Sequence, residues 1–198
     1  MKAVSSGPAV RDFDFTAHMR ALCADIAARM PALAHVDVSR MAITWARARK
    51  PVRHGLQASL TPLRFAGGKL VDERQGRRWT IQRVYDATGR EMLYILAFYL
   101  PRFLELPFDE KLITVFHELW HVGPDFDGDI RRHAGRCYAH SGSQRGYDDA
   151  MRVLANEYLT LDPPEESIAF LRLSYHELCQ QYGGVVGQQI SRPKLVPC

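Results

Sequence analysis

The sequence predicts an α+β domain, on three observations. Apolar residues recur at three- and four-residue steps in several segments, the period of a helix face. Between these lie short runs rich in Val, Ile, Tyr, Leu and Phe, bounded by Gly, Pro and Asp, as strands and their turns are. At 198 residues the chain fits one domain able to bury a core without staples. We expect a flexible tail over 1–11, a single domain over 12–182 and a C-terminal tail over 183–198. The domain should hold an N-terminal helix, a short, mostly antiparallel sheet with a hairpin, a central helix and further C-terminal helices.

Taken in order, Phe13, Phe15, Met19, Leu22, Ile26 and Met30 form an amphipathic helix that Pro31 ends. His18 lies within it and reads as structural or exposed. Val36, Val38, Met41, Ile43 and Trp45 suit a strand over 36–48. Leu56, Ala58 and Leu60 repeat in period two and meet Pro62, the mark of an edge strand or a strand end. Gly67-Gly68 makes a turn, and 72–78 reads as a charged loop. Trp79 to Tyr85 and Met92 to Leu100 flank Asp86-Ala87-Thr88-Gly89 and read as the hairpin.

A buried helix follows, with Asp109 as N-cap, and Gly123-Pro124 stops it. A polar connection over 125–142 then leads to a helix over 143–161, with Tyr147, Met151, Leu154, Tyr158 and Leu161 on its apolar side. Pro163-Pro164 closes that helix, and one more is expected over 168–182.

Composition narrows the function classes. Hydrophobic content of 46% with 24% charged residues is that of a globular protein. The charge of +4 is scattered, which permits nucleic-acid contact without predicting it. Cys23, Cys137, Cys179 and Cys198 form no CxxC pair, which argues against a zinc ribbon and for a reduced, cytoplasmic setting. No apolar signal region opens the sequence, and Met92–Leu100 is too short to span a bilayer, so no membrane association is expected.

The chemistry is concentrated in Val115-Phe116-His117-Glu118-Leu119-Trp120-His121-Val122-Gly123. Residues four apart share a helix face, so His117 and His121 can hold one divalent ion between their imidazoles, with Zn2+ the expected metal. Glu118 lies beside that ion, placed to accept a proton from water rather than to ligate. Leu112, Ile113, Phe116, Leu119 and Val122 make the segment apolar on nearly every side, and two imidazoles with a carboxylate in such a helix need partners.

A catalytic zinc has three protein ligands and an open position. His140, His133 and Glu157 compete for the third place. His140 stands first, because Ser141 or Ser143 can cap the next helix and fix it. His133 follows Arg131 and Arg132, whose charges oppose a dication unless they are turned away. Glu157 shares a helical face with Ala150, Val153 and Leu154, an odd position for a carboxylate unless it binds metal or orients a ligand. A separate His133/Cys137/His140 site would take His140 from the HExxH pair. His176-Glu177 imitates the motif's opening but has Gln180 where the second His belongs, and reads as helix surface.

These residues resemble the zincin metallopeptidases, and more narrowly the small metallopeptidases of bacteria and phages related to the SprT-like group. His140-Ser141-Gly142 with Tyr147 is similar to that group's third His at the head of the next helix, with Ser141 intervening before the glycine. Asn156-Glu157 resembles the downstream helix of gluzincins, in which a Glu is the third ligand. The resemblance implies a zincin-like domain and peptide hydrolysis with Glu118 as general base and His117, His121 and His140 on the metal. It also implies a polypeptide substrate held in extended form by edge pairing with the strand before the helix, here Met92–Leu100. Tyr138, Tyr147 and His133 are candidates for the oxyanion stabiliser. Two other classes use the same residues: a metal- or nucleic-acid-binding module with a structural ion, and a metal-dependent amidase.

Overall fold

The computed structural model describes residues 12–48, 55–132 and 144–198. It has α+β architecture, with mixed small sheets against helices. A two-residue strand β1 (Phe13–Asp14) leads into α1 (Phe15–Arg29). The Asp14 carboxylate accepts from the Ala17 N–H at 2.9 Å and caps α1. Phe15, Met19, Leu22, Cys23 and Ile26 form its buried stripe, as the periodicity requires.

The central sheet is β2 (Met41–Arg47), β3 (Ala58–Pro62) and β6 (Tyr94–Leu100) in the order β2-β6-β3, with β2 parallel and β3 antiparallel to β6. A second sheet joins β4 (Val71–Arg74), β5 (Arg77–Ile81) and β8 (Leu195–Pro197), all antiparallel. β7 (Val185–Val186) runs parallel to β1. The helices are α2 (Phe108–Trp120), α3 (Gln144–Thr160), α4 (Glu165–Ile168) and α5 (Tyr175–Tyr182).

β6 is apolar along its whole length because both its faces are covered. Tyr94, Leu96, Phe98 and Leu100 enter the main core, where Phe98 meets Phe103 and Phe15 edge to face. Ile95 points the other way, into a small cluster with Ala42, Leu63 and Met92 under Ile81, Val84 and Ile190. The outer edge of β2 is closed by the chain near Gln188, whose carbonyl accepts from the Trp45 N–H and the Thr44 hydroxyl. Among the described residues no strand pairs with the outer edge of β3.

Several expectations are corrected. Residues 72–78 are no loop: the β4–β5 hairpin turns over Gln75-Gly76, and its side chains point largely to solvent, which hid the strands. Asp86–Gly89 does turn the chain, and Tyr85 pairs with Glu91, but β5 goes to β4 and β8 while β6 goes to β2 and β3. The expected hairpin is therefore only its turn. The strand expected over 36–48 begins at Met41, because Asp37 caps a short 3-10 turn before it.

Pro107, not Asp109, is the N-cap of α2, and Asp109 lies in the first turn, where a carboxylate favours the helix dipole. The helix expected over 168–182 is broken at Leu173-Ser174, where Ser174 and Glu177 form a capping box that starts α5 afresh. Residues 183–198 supply β7 and β8 rather than a loose tail. The expected tail over 1–11 lies outside the described residues. Among the described residues no helix is long and apolar enough to cross a membrane, and Cys23, Cys179 and Cys198 are free thiols.

Lys111, 2% exposed, ties the C-terminal helices to α2, donating to the Leu171 and Leu173 carbonyls at 2.9 and 2.7 Å. Burial pulls its ammonium down from 10.5 to about 8, with Glu105 and Glu177 opposing. Between those two values the unfolded chain binds more protons than the folded one, so this group makes stability rise with pH across that window. Thermal unfolding from pH 7.5 to 10.5 should therefore show a rising component in the wild type that Lys111→Met lacks.

Candidate metal centre

α2 packs against the edge strand β3. Lys111, Leu112, Val115, Phe116 and Leu119 are buried, whereas Glu110, Thr114, His117 and His121 form a half-open stripe at helical spacing. Both predicted ligands thus lie on the accessible face. Their ring centroids are 4.7 Å apart at an interplanar angle of 76°. Two imidazoles at that separation can converge on one ion, and a nitrogen donor pair with a carboxylate alongside suits zinc.

Glu118 points to the other side of that stripe and is 7% exposed. Burial pushes its carboxyl up to about 7, against a hydrogen bond donated by the Leu60 N–H. A dication on the neighbouring imidazoles would draw it back towards the charged form. The Leu60 contact also fixes how β3 is turned. The Tyr99 N–H donates to the Gln57 carbonyl and the Leu63 N–H to the Leu93 carbonyl, so odd-numbered residues pair inward. By alternation, the main-chain groups of Ala58, Leu60 and Pro62 face outward, beside Glu118. Pro62 has no N–H to lose there.

The expected substrate strand is corrected here. Met92–Leu100 contains β6, which is paired on both sides and offers no edge; β3 is the strand that does. An apolar run reports burial, and a doubly paired strand is the most buried of all.

The turn after α2 is held tightly. The Gly123 N–H donates to the Asp129 carbonyl, the Arg131 N–H to the His121 carbonyl, and the Arg64 N–H to the Gly128 carbonyl. The Tyr94 hydroxyl donates to the Asp129 carbonyl at 2.8 Å and accepts from the Gly128 N–H. The Asp129 carboxylate, 6% exposed as a residue, accepts from the Gly67 and Ile130 N–H groups and from Arg132 through both oxygens. Burial raises its pKa, yet Arg132 and the two N–H groups outweigh that and hold the carboxyl below its usual range. Gly128 is required here, at φ +92° with Arg64 Cγ only 2.5 Å from where a Cβ would sit. His35, unremarked in the sequence, donates to the Val122 carbonyl behind this turn; burial first and then Arg131 lower its pKa.

The two guanidinium groups preceding His133 are engaged. Arg131 lies over the Trp120 ring at 4.2 Å, and its Nε donates to the Trp120 carbonyl. Arg132 is paired with Asp129 at 2.8 Å.

His133, Tyr138, His140 and Cys137 lie outside the described residues, and of Tyr147 only the backbone is described. Glu157 is described and is exposed, on a face shared with Val153 at 64% exposure. The reading of Glu157 as awkwardly placed beside Ala150, Val153 and Leu154 is corrected: Ala150 and Val153 are exposed with it while Leu154 turns partly to the core, so Glu157 lies on a solvent face and needs no partner. Among the described residues no third His, Cys, Asp or Glu joins the two imidazoles in a metal-sized group. His176 and Glu177 lie on the exposed start of α5, as expected.

The fold and site together define an α+β domain with an HExxH helix packed beside the terminal strand of a three-stranded sheet. Comparisons with protein-family models, with curated proteins and with solved structures find no match to this chain.

Proposed function

We propose that this chain is a zincin-like, zinc-dependent metallopeptidase that hydrolyses peptide bonds in extended polypeptide. The observation that carries the reading is the convergence of three features: two half-buried imidazoles 4.7 Å apart on one face of α2, a buried carboxylate between them in sequence, and an antiparallel strand beside that carboxylate with no strand partner on its outer edge among the described residues. His117 and His121 would hold the ion, with His140 or His133 as third ligand. The exposure of Glu157 argues against that residue.

When bound, zinc supplies Lewis acidity, lowering the pKa of a water towards neutrality and polarising a carbonyl. The chain's own groups do the rest. The outward carbonyls of Leu60 and Pro62 and the N–H of Ala58 pair with an extended substrate, giving affinity with little dependence on side chains. The Glu118 carboxylate takes a proton from the attacking water and returns it to the leaving amine. Leu60 and the walls of α2 keep that carboxylate in a dry, fixed setting.

The test is cleavage of unfolded proteins by the purified chain, abolished by a chelator and restored by added zinc. Zinc retained without any cleavage would turn the reading towards a module with a structural ion.

A further inference from the structure

Beyond Pro62 the β3 edge opens onto a cavity of about 320 Å³. Its charged lining residues are mainly basic: Arg64, Lys69, Arg74 and Arg132, against Asp72 and Asp129. Most of these charges cancel in pairs. Arg132 meets Asp129 at 2.8 Å, Arg74 meets Asp72 at 2.9 Å, and Arg64 reaches out of the cavity to Glu91 at 2.8 Å. Lys69 is the lining cation with no carboxylate partner among the described residues. Phe65, Ile81 and Leu195 add an apolar floor that suits a methylene stem.

Resting on the peptidase reading, we propose that this cavity is a specificity subsite for an acidic side chain of the substrate, recognised by Lys69. Antiparallel pairing is the slightly more stable mode, and it runs a peptide opposite to β3. Edge pairing ends at Pro62, because the Arg64 N–H is taken by the Gly128 carbonyl, so residues on the N-terminal side of the cleaved bond leave the strand there and lie against the cavity that Pro62 lines. At about 3.3 Å per residue, the side chain over the cavity lies roughly two to four positions before that bond. The excess positive charge attracts Glu there and repels Lys or Arg, acting on selection rather than on the chemical step. Lys69 is exposed at a turn, so its replacement leaves the core untouched.

The experiment uses the zinc-loaded 198-residue chain and a peptide series with Glu, Gln or Lys at each of those positions, read as both kcat/KM and binding by fluorescence polarisation. The wild type should favour Glu over Lys by about tenfold, the sum of an attraction and a repulsion in a partly solvated site. Lys69→Glu should invert the order, and Lys69→Gln should flatten it. Binding that follows charge and Lys69 in peptides that are never cut keeps the subsite and sinks the peptidase reading. Cleavage or binding indifferent to charge, or a preference that Lys69→Glu leaves unchanged, overturns the subsite alone. It is equally overturned if Lys69→Glu weakens a single-stranded oligonucleotide but not the Glu peptide.

Discussion

Glu118→Gln should lower cleavage of unfolded protein by about 10²–10⁴-fold, the range for one positioned acid–base group, with zinc content and KM close to wild type. The amide keeps the shape of the side chain, and its carbonyl oxygen can still accept from the Leu60 N–H, so α2 and β3 stay docked. What is lost is the ability to take a proton. Because burial makes the charged carboxylate costly, with its carboxyl pushed up to about 7, the variant should also unfold at the same temperature as wild type or slightly higher. A loss of turnover accompanied by lost zinc or a lower melting temperature would assign Glu118 a structural role instead.

Asp129→Ala carries the second large effect. The substitution strands the Gly67 and Ile130 N–H groups and releases Arg132. Removing one partner of a buried, hydrogen-bonded ion pair costs about 3–5 kcal/mol, and Arg132, being half-exposed, places this case at the lower end. The consequence reaches the site through the backbone. The same turn returns Arg131 N–H to the His121 carbonyl, so loosening it should weaken zinc retention as well as stability. Acid gives a parallel readout. The folded-state carboxyl is held below the ordinary 3.8, so its contribution is complete above that value and is lost as pH falls through the folded pKa. Denaturant titration and metal content of Asp129→Ala measure both effects. Unchanged zinc retention in a destabilised variant would confine Asp129 to the fold.

The central helix was legible because a motif at spacing four is also a statement about geometry: His117 and His121 had to share a face, and they do. Pro62 likewise marked an edge strand, since a missing N–H is tolerated only there. Pairing was not legible. The apolar run of β6 reports that both its faces are buried but not which strands flank it, and β2, its parallel partner, lies far away in sequence. β4 and the charged start of β5 read as loop because charged strands on an exposed sheet carry no alternation, whereas Trp79 and Ile81 of β5 read as strand with the wrong partner. Asp129 and Leu60 escaped for a different reason. One is an acid among three in a polar stretch, and the other acts through its main-chain N–H, which no side-chain pattern encodes.

The claim on which the rest depends is that His117 and His121 hold a catalytic zinc. Its most direct measurement is the zinc content of chain purified without added metal, for wild type, His117→Ala and His121→Ala, with cleavage of an unfolded protein followed in the same samples. The account predicts one zinc per wild-type chain with cleavage, and loss of both in each variant while the fold is kept. Wild-type chain without stoichiometric zinc, or variants that retain it, would contradict the account.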